Sequence, residues 1–409
     1  MRALLEESFR AAVAAADPLQ ILAPHLPPPP KGRTFVAAAG KAAASMALAV
    51  EKSFASEVEG IAITRYGHGL PTKQIRVVEA GHPVPDAAGE AAAREILAKA
   101  GELGEQDLLL ALLSGGGSSL LSLPAPDIPM ADLKAVTQQL LLSGAAIQEM
   151  NTVRKHLSAI HGGRLAAASR APVVALVISD VTGDDPTHIA SGPCAADPTT
   201  YADALEVLRR YRVTPPASVK RRLERAADET PKPSDPVFAK VRNKVIATAH
   251  RSLEAAAGVF LKSGVTPVIL GDTITGEAAE VAKVFSSLVK EIQRYRAPWK
   301  PPVALISGGE CTVTLRGEGG RGGRCAEFLL SLGIETGGIW AIAADTDGID
   351  GSEDNAGAIL TPESMKRGAD GKAHLAKHDS YGFFSALGDL VMTGPTRTNV
   401  NDYRAIVVT

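Results

Sequence analysis

The sequence predicts an α/β protein with two domains, and three observations support this prediction. The chain has 409 residues, and single domains usually contain roughly 100–200 residues. Short apolar runs alternate with helical patterns along almost its whole length, which is typical of parallel strands covered by helices. Several apolar runs end in glycine and small polar or acidic residues, and α/β proteins place their ligand-binding loops at such strand ends.

The first half of the chain begins with an amphipathic helix and continues as strand and helix pairs. Glu6, Glu7 and Asp17 interrupt the first apolar residues, so this segment lacks the pattern of a signal peptide. The predicted pairs that follow the proline-rich residues 26–32 are TFVAAAG with KAAASMALAVEKSF, IRVVEAG with AAGEAAAREILAKA, and DLLLALLSGGG with MADLKAVTQQLLL. Their alternation predicts a largely parallel sheet.

A polar segment with three prolines, ADETPKPSDP at 227–236, is predicted to link the domains. Proline and charge disfavour both helix interiors and central strands. We therefore predict domains at 1–235 and 236–409. In the second half, strands are predicted at NKVIATA, TPVILGD, PPVALISGG, CTVTLRG, GIWAIAADTDG and AIVVT, and helices at GEAAEVAKVFSSLVKEIQRY and RCAEFLLSLG.

The composition predicts a cytoplasmic protein with a small-molecule ligand. The formal net charge is -2 at pH 7, so no strong field favours nucleic acid or an anionic membrane. Cys194, Cys311 and Cys325 form no CxxC pair, which argues against a disulfide framework or a zinc site and favours a reducing compartment. The longest apolar runs, LLLALL and VVALVI, are far shorter than the roughly 18–20 residues of a membrane span. We expect no nucleic-acid or membrane partner.

The apolar run DLLLALL is followed by a loop of glycines and serines. Glycines leave backbone N–H groups accessible, and such a loop can hold a phosphate or a carboxylate. A tight turn that needs glycine for positive φ explains the same residues equally well. The predicted phosphate-binding residues are Ser114, Gly115, Gly116, Gly117, Ser118 and Ser119.

Lys41 directly follows Gly40 at a predicted strand-to-helix junction. A lysine in this place would face an anion beside the helix N-terminus. The segment is not a Walker A loop, because Phe35 and Ala42 occupy positions that require glycine and Ser/Thr. Taken alone, a solvated surface lysine explains Lys41 better than a binding role.

Two acidic clusters follow predicted strands. Carboxylates at strand ends can hold Mg²⁺ or accept a proton from a hydroxyl, although aspartate and glycine are also ordinary turn residues. The second cluster fails the calcium-loop pattern, because Ile349 stands before Asp350. The first cluster contains Asp180, Asp184 and Asp185, and the second contains Asp345, Asp347 and Asp350. Asp180 and Asp185 are the predicted metal ligands.

Arginines also accumulate in RGEGGRGGRCAEF, which contains Arg316, Arg321 and Arg324. Guanidinium groups on a glycine-rich backbone suit bidentate capture of phosphate or carboxylate. A mobile hairpin tip is the structural alternative. We favour the functional interpretation.

The segment NTVRKHLSAIHGGRLA places Asn151, Arg154 and Lys155 near the start of a predicted helix. These side chains are predicted to bind a small carboxylate substrate, with a solvated helix face as the alternative. The chain has no histidine in a spacing with serine or cysteine that indicates a nucleophile. The sequence therefore predicts structural roles for three histidines, His82, His156 and His188.

Taken together, these segments resemble the glycerate 2-kinase family, whose C-terminal part is called the MOFRL domain and whose members often carry hydroxypyruvate reductase names. The similar segments occur in the same order nearly from end to end. They are GKAAASMA, GHPVPD, LLSGGGSSLL, NTVRKHLSAIHGGRLA, SDVTGDDPTHIASGP with DPTT, SGGECTV, GGRCAEF, DTDGIDG and TGPTRTNVND.

The resemblance implies transfer of the γ-phosphoryl group of ATP to the 2-hydroxyl of D-glycerate, with Mg²⁺. It also implies a Rossmann-like layered N-terminal domain, a smaller C-terminal MOFRL domain and an active site in the interdomain cleft. By motif position, the catalytic residues of the family fall on Lys41, Arg324 and Asp350. The oligomeric state is left open, with a homodimer among the options.

The sequence departs from the family pattern at a few positions. Cys325 and Ala326 precede Glu327 where the family commonly has Asn-Gln-Glu, Arg397 replaces the usual glycine, and Thr182 stands where proline is frequent. None of these changes removes a charged group that the reaction needs. Local contacts with substrate or nucleotide are expected to differ.

Two other functions remain as alternatives. An NAD(P)H-dependent hydroxypyruvate reductase needs a dinucleotide fingerprint, and no GxGxxG follows a strand with an acidic residue about 20 positions later. A sensor of small anions that does not catalyse a reaction is the other alternative. The presence of Lys41, Arg324 and Asp350 together argues against a sensor.

Overall fold

The computed structural model describes residues 1–315 and 319–409 and divides into two compact units. Residues Pro18–Ile246 form one, called here the N-terminal unit. Residues Met1–Asp17 and Ala247–Thr409 form the other, called here the C-terminal unit. Each unit contains a six-stranded sheet with helices, so the predicted fold of two α/β domains is confirmed.

The N-terminal unit is built from six strands and nine helices within the described part of the chain, with all elements numbered in chain order. The strands are β1 (Thr34–Ala39), β2 (Glu59–Arg65), β3 (Ile75–Ala80), β4 (Leu108–Leu113), β5 (Val173–Ile178) and β6 (Val241–Ala247). The helices are α2 (Pro18–Ile21), α3 (Ala43–Ser53), α4 (Ala87–Glu102), α5 (Gly117–Leu120), α6 (Met130–Leu142), α7 (Ile147–His156), α8 (Arg164–Ala168), α9 (Tyr201–Arg210) and α10 (Ala217–Arg225).

The sheet of the N-terminal unit has the strand order β3-β2-β1-β4-β5-β6. This is the doubly wound order of dinucleotide-binding proteins, in which the direction of strand addition reverses between the first and fourth strands. The pairs β1–β2, β1–β4, β2–β3 and β4–β5 are parallel. Every residue of β1 and β4 is buried, because helices cover a parallel sheet on both faces.

The C-terminal unit contains the remaining described elements. Its strands are β7 (Thr266–Gly271), β8 (Gly276–Glu277), β9 (Val303–Ser307), β10 (Cys311–Thr312), β11 (Trp340–Asp345), β12 (Gly357–Leu360), β13 (Leu390–Val391) and β14 (Asp402–Val408). Its helices are α1 (Arg2–Ala14), α11 (Ala249–Lys262), α12 (Ala278–Tyr295), α13 (Arg324–Glu335), α14 (Ser364–Arg367), α15 (Gly371–Ala376) and α16 (Ser380–Leu387).

The larger sheet of the C-terminal unit has the order β13-β12-β11-β14-β9-β7 and is mostly antiparallel. Among the described strands of this sheet, only β7 and β9 pair in parallel. A largely parallel sheet is therefore found in the N-terminal unit and not here. Buried apolar runs predict strands but not their directions, which explains the difference.

The first helix, α1, packs within the C-terminal unit. Leu5 and Phe9 lie in one hydrophobic cluster with Phe260 of α11 and Tyr403 of β14. The Tyr403 hydroxyl donates to Ser8 Oγ at 2.8 Å. The start of the chain thus completes a core that is formed mainly by its last third.

The predicted linker, ADETPKPSDP at 227–236, is tied to the N-terminal unit. The Asp197 amide donates to the Pro231 carbonyl at 3.0 Å, and Thr230 Oγ1 donates to Asp197 Oδ2 at 3.0 Å. The next strand, β6, also joins the first sheet. The compact units therefore differ from the predicted domains, 1–235 and 236–409, at the first helix and at this strand, and that domain division stays a prediction.

Within residues 1–315 and 319–409, none of the helices combines the length and apolar character that a bilayer crossing requires.

Candidate functional site

The loops after β1 and β4 meet at the point where the strand order of the N-terminal unit reverses. The Ser114 amide donates to the Ala39 carbonyl at 3.1 Å, and the Ala42 amide donates to Ser114 Oγ at 3.0 Å. Gly40 has a φ of +129°, and a Cβ there would overlap Ser114. Open α/β sheets bind ligands at such a switch point, beyond the carboxyl ends of the strands.

Gly116 lies between Lys41 and His82. A Cβ on Gly116 would be 2.8 Å from His82 Nε2 and 3.5 Å from Lys41 Cγ, and its φ is +80°. The Lys41 amide donates to the Gly115 carbonyl at 2.8 Å. The structure thus brings the predicted catalytic lysine next to the predicted phosphate loop, although these residues are far apart in sequence.

The predicted loop 114–119 forms a turn that leads into α5 at Gly117, and it has backbone donors available for a ligand. In the described chain, no backbone oxygen accepts the amide hydrogens of Gly115 and Gly116. The Gly117 and Ser119 amides, by contrast, donate to the Ser114 and Gly116 carbonyls. Two adjacent N–H groups at a switch point can bind an anionic oxygen.

This loop borders a cavity of about 440 Å³ within the N-terminal unit. Residues of α6 and α7 form much of one wall, including Leu133, Leu141 and Ile147. The polar residues in its lining include His82, Ser118, Ser119, Asn151, Arg154, His161, Asp180 and His188. Mostly apolar cavities with a few polar groups are typical of small-molecule sites.

Asn151 links the loop to the cavity wall. Ser118 Oγ and Ser191 Oγ lie 2.8 Å apart, and Ser191 Oγ donates to Asn151 Oδ1 at 3.0 Å. Asn151 Nδ2 donates to the His188 carbonyl at 3.1 Å. Arg154 Nη1 also donates to Asn151 Oδ1, at 3.3 Å. Asn151 therefore holds Arg154 and the serines in one hydrogen-bond network.

Arg154 is a cation without a carboxylate partner. No ion pair of Arg154 occurs among the described residues, and burial alone lowers its pKa to about 10. The residue lies in the last turn of α7, whereas the sequence predicted the start of a helix. Positive charge is stabilised at a helix C-terminus, but a partly buried guanidinium still favours an anionic ligand.

Lys155 occupies a different environment from Arg154. Its Nζ lies 3.3 Å from Asp197 Oδ1, and both side chains are buried. Burial lowers the pKa of Lys155 although Asp197 opposes this effect. In this ion pair, Lys155 balances the negative charge of the buried Asp197 carboxylate. A role of Lys155 in substrate binding stays a prediction.

Histidines that the sequence predicted to be structural fall into two groups. His156 Nε2 lies 2.9 Å from Glu229 Oε1, away from the cavity lining. His82 and His188 line the cavity, together with His161, for which the sequence predicted no role. The three histidines lie in separate family segments, GHPVPD, NTVRKHLSAIHGGRLA and SDVTGDDPTHIASGP, and only the fold brings them into one cavity wall.

The predicted metal ligands, Asp180 and Asp185, follow β5. Asp180 lines the cavity, whereas Asp185 Oδ1 accepts from the Thr187 amide at 2.8 Å. In the part of the chain that the structure describes, no three or more His, Cys, Asp or Glu side chains group as a metal site. Their predicted role as Mg²⁺ ligands stays a prediction.

The C-terminal unit holds Arg324 at the start of α13, in contact with three carboxylates. Arg324 Nε donates to Asp402 Oδ1 at 2.8 Å, Nη2 contacts Asp345, and Nη1 lies 3.3 Å from Glu310 Oε1. Asp345 and Asp402 are register partners on β11 and β14. Burial disfavours the charged guanidinium, but these carboxylates outweigh it and raise the pKa of Arg324.

Asp350 is fully buried and caps α13. Its Oδ1 and Oδ2 accept from the amides of Cys325 and Ala326 at 2.9 and 2.8 Å. Burial raises the pKa of Asp350 to about 7, against the effect of these hydrogen bonds and of Arg324. A Cβ on Gly323 would overlap Asp350. Asp350 therefore fixes the turn that carries Arg324, and its predicted catalytic role stays a prediction.

Arg321, in the same glycine-rich segment, has other partners than Arg324. Arg321 Nη2 pairs with Glu353 Oε2 at 2.6 Å, and its guanidinium lies 4.0 Å from the centre of the Tyr381 ring. Arg316 lies outside the described residues. Anion capture by Arg321 and Arg316 stays a prediction.

A doubly wound sheet with a glycine-rich turn at its switch point is an arrangement found in many α/β proteins that bind nucleotides or phosphates. Comparison with known proteins agrees with this class. Residues 4–224 match the family model described as a domain of unknown function, DUF4147, and residues 303–402 match the MOFRL family.

The glycerate 2-kinase of Pyrococcus horikoshii is 42% identical over 391 residues, which cover 93% of this chain and 88% of that protein. The D-glycerate 2-kinase of Thermotoga maritima is 39% identical over 412 residues, covering 98% and 97%. The crystal structure of a glycerate kinase from Thermotoga maritima matches with a TM-score of 0.88 at 37% identity, covering 100% of this chain and 99% of that one. The chain belongs to the glycerate 2-kinase family with a MOFRL domain.

A relative from Agrobacterium vitis carries a different name. It is 50% identical over 417 residues, which cover 100% of this chain and 94% of that protein, and it is named as a provisional hydroxypyruvate reductase.

Proposed function

We propose that this protein is a glycerate 2-kinase that converts D-glycerate and ATP to 2-phosphoglycerate and ADP. The observation that carries the proposal is the position of Arg154. It is a partly buried guanidinium with no carboxylate partner among the described residues, in the wall of a cavity bordered by the glycine loop. A small hydroxycarboxylate supplies the missing negative charge. Membership of the glycerate 2-kinase family supports the same substrate.

Substrate binding follows from the charges in the cavity. Arg154 binds the carboxylate of glycerate through two N–H groups, since a guanidinium fork matches carboxylate geometry. Asn151 keeps that fork in place through its Oδ1. The free amides of Gly115 and Gly116 bind phosphate oxygens of ATP, and Lys41 supplies positive charge beside them.

The reaction forms one P–O bond and breaks another. The 2-hydroxyl oxygen of glycerate attacks the γ-phosphorus, and the bond from that phosphorus to the bridging oxygen of ADP breaks. The hydroxyl proton goes to a carboxylate, for which Asp350 is the predicted group. Phosphoryl transfer depends mainly on positioning and charge neutralisation, and Lys41 and Arg324 are the predicted cations.

The family resemblance implies Mg²⁺ with ATP. Mg²⁺ is usually held by one or two carboxylates together with substrate phosphates and water, and it neutralises phosphate charge when bound. The described residues fit this arrangement, because Asp180 is a single carboxylate in the lining shared with the glycine loop. We propose Asp180 as a protein ligand, with Asp185 as the second candidate.

We also infer a cytoplasmic location. The three cysteines are free and buried, which supports a reducing compartment. A homodimer stays a prediction.

The proposal is tested by incubating the full-length protein with D-glycerate, ATP and Mg²⁺ and identifying the product by phosphorus NMR. A 2-phosphoglycerate signal is expected, and a 3-phosphoglycerate signal would contradict the assignment of the reacting hydroxyl.

Lys41→Ala is expected to lower kcat by at least ~10²-fold without lowering Tm, since one transition-state cation is lost. Lys52→Ala, on the exposed surface of α3, is the control.

A reductase acting on hydroxypyruvate is the alternative that the Agrobacterium vitis relative raises. The first strand-to-helix turn of a dinucleotide-binding sheet carries GxGxxG. Here the turn after β1 contains a single glycine, Gly40, which is followed by Lys41. We therefore expect no oxidation of NADH or NADPH by hydroxypyruvate, and spectrophotometry at saturating cofactor tests this expectation.

A further inference from the structure

The polar wall of the cavity contains an imidazole nitrogen without a hydrogen-bond partner. His161 is 3% exposed and lines the cavity, and its Nε2 has no partner among the described residues. A buried polar atom that lacks a partner is costly. Such an atom in a ligand cavity indicates that the ligand supplies the missing hydrogen bond.

The surroundings of His161 determine what this nitrogen can do. Burial, followed by the positive charges of Arg154 and Lys155, lowers the pKa of His161 to about 3. The ring is therefore neutral near neutral pH and carries one N–H. The backbone of Leu121 acts in the opposite direction and raises the pKa of the ring. A backbone carbonyl that accepts from the ring has this effect, so the hydrogen is assigned to Nδ1.

A neutral ring with its hydrogen on Nδ1 has a lone pair at Nε2. This atom accepts a hydrogen bond from an O–H group but cannot bind a carboxylate or phosphate oxygen. A nitrogen with so low a pKa is also a poor base for the reacting 2-hydroxyl. Glycerate has one other hydroxyl, on C3.

We propose that His161 is a specificity residue whose Nε2 accepts a hydrogen bond from the 3-hydroxyl of the glycerate bound by Arg154. The proposal rests on the proposed glycerate 2-kinase function and names the chemical class of the substrate more narrowly. The cavity takes hydroxycarboxylates with a second hydroxyl on C3. A site that hydrogen-bonds a substrate hydroxyl disfavours the analogue that lacks it, because a buried polar group is then left unpaired.

The test compares D-glycerate with D-lactate, which has the 2-hydroxyl and lacks the 3-hydroxyl. The full-length protein is assayed with each acid, and the ratio of the two kcat/KM values is measured. The wild-type ratio is expected to favour D-glycerate by at least ~10²-fold. In His161→Phe, which keeps a ring of similar size without the acceptor, we expect a loss of at least ~10-fold in that ratio.

Two further variants separate hydrogen bonding from structural damage. His161→Gln offers an amide oxygen as acceptor and is expected to restore part of the preference. His250→Phe, on the exposed surface of α11, is the matched control and keeps the wild-type ratio. KM for ATP is expected to stay within about twofold of wild type in His161→Phe, because the proposed hydrogen bond is made to glycerate and not to ATP.

The outcomes distinguish the two proposals. Failure of the wild-type protein to phosphorylate D-glycerate overturns the proposed function. Phosphorylation of both acids with similar kcat/KM by the wild-type protein overturns the role of His161, even if His161→Phe does not fold. An unchanged ratio in a folded His161→Phe also overturns it.

Discussion

Lys155 and Asp197 form an ion pair in the core of the N-terminal unit, with Nζ 3.3 Å from Oδ1 and both side chains buried. Thr199 and Thr230 also donate to the Asp197 carboxylate. Burial opposes ionisation of Asp197, but the Lys155 charge and the hydrogen bonds from Thr199 lower its pKa. Lys155 therefore neutralises a buried acid, whereas its neighbour Arg154 has no carboxylate partner in the described part of the chain.

This pair predicts that Lys155→Met destabilises the protein more than it weakens substrate binding. Removing one member of a buried ion pair leaves the other charge uncompensated and costs roughly 3–5 kcal/mol. Urea unfolding measures the loss, with the exposed Lys52→Met as the control. A KM for glycerate raised at least ~10-fold with unchanged stability would instead support Lys155 as a substrate ligand.

Gly116→Ala is expected to lower activity sharply, because the new methyl group would enter the space between His82 and Lys41. The matched control is Gly67→Ala. Gly67 has a similar φ, +77°, but nothing lies within 4 Å of its Cβ position. The loss of activity in Gly67→Ala therefore measures the effect of backbone strain alone. We expect kcat/KM to fall at least ~10-fold further in Gly116→Ala than in Gly67→Ala. Equal losses would mean that the space beside Gly116 has no function.

Arg324 is predicted to affect stability as well as catalysis. Arg324→Met leaves Asp345, Asp402 and Glu310 without their shared cation, so we expect Tm to fall together with a kcat loss of at least ~10²-fold. Arg324→Lys keeps the charge without the planar fork and is expected to recover stability better than kcat. The pair Arg321–Glu353, in which the arginine side chain is 61% exposed, supplies the control Arg321→Met, which should cost about 1 kcal/mol or less. Wild-type turnover in Arg324→Met would reject its catalytic role.

Asp350 is predicted to make stability depend on pH. Its pKa is raised from 3.8 to about 7 in the folded protein, so the native state binds this proton more tightly than the unfolded state. The contribution of Asp350 to the free energy of unfolding therefore falls as pH rises from about 4 to about 7 and is constant above that range. The whole change is roughly 4 kcal/mol at most, at about 1.4 kcal/mol for each pKa unit.

Asp350→Asn removes this titration and serves as the reference. We expect the stability advantage of the wild-type protein over Asp350→Asn to shrink between pH 5 and pH 8, measured by urea unfolding. Parallel pH profiles for the two proteins would contradict the raised pKa. A kcat loss in Asp350→Asn with unchanged Tm would favour the proton-accepting role over helix capping.

The sequence alone determined much of the local structure. The run MADLKAVTQQLLL was predicted as a helix and forms α6 with the same bounds, and the runs at β1, β4 and β5 were all predicted as strands. Helical and strand periods depend on side chains a few residues apart, so a local pattern is sufficient. The glycine-rich turn after β4 was also predicted from the sequence, since glycines at a strand end mark close backbone approach, although the predicted loop 114–119 ends in the short helix α5 from Gly117.

Tertiary structure decided the features that depend on distant residues. The packing of α1 on α11, the pairing of β6 with the first sheet and the antiparallel strands of the C-terminal unit are long-range contacts. Arg154 and Lys155 are adjacent cations that the sequence cannot distinguish. In the structure, Asp197, 42 residues beyond Lys155, neutralises Lys155 and not Arg154. His161 gained its candidate role because the fold buries Nε2 in the cavity wall without a partner among the described residues. Burial and charge balance come from the folded surroundings of a side chain, so no local pattern could reveal them.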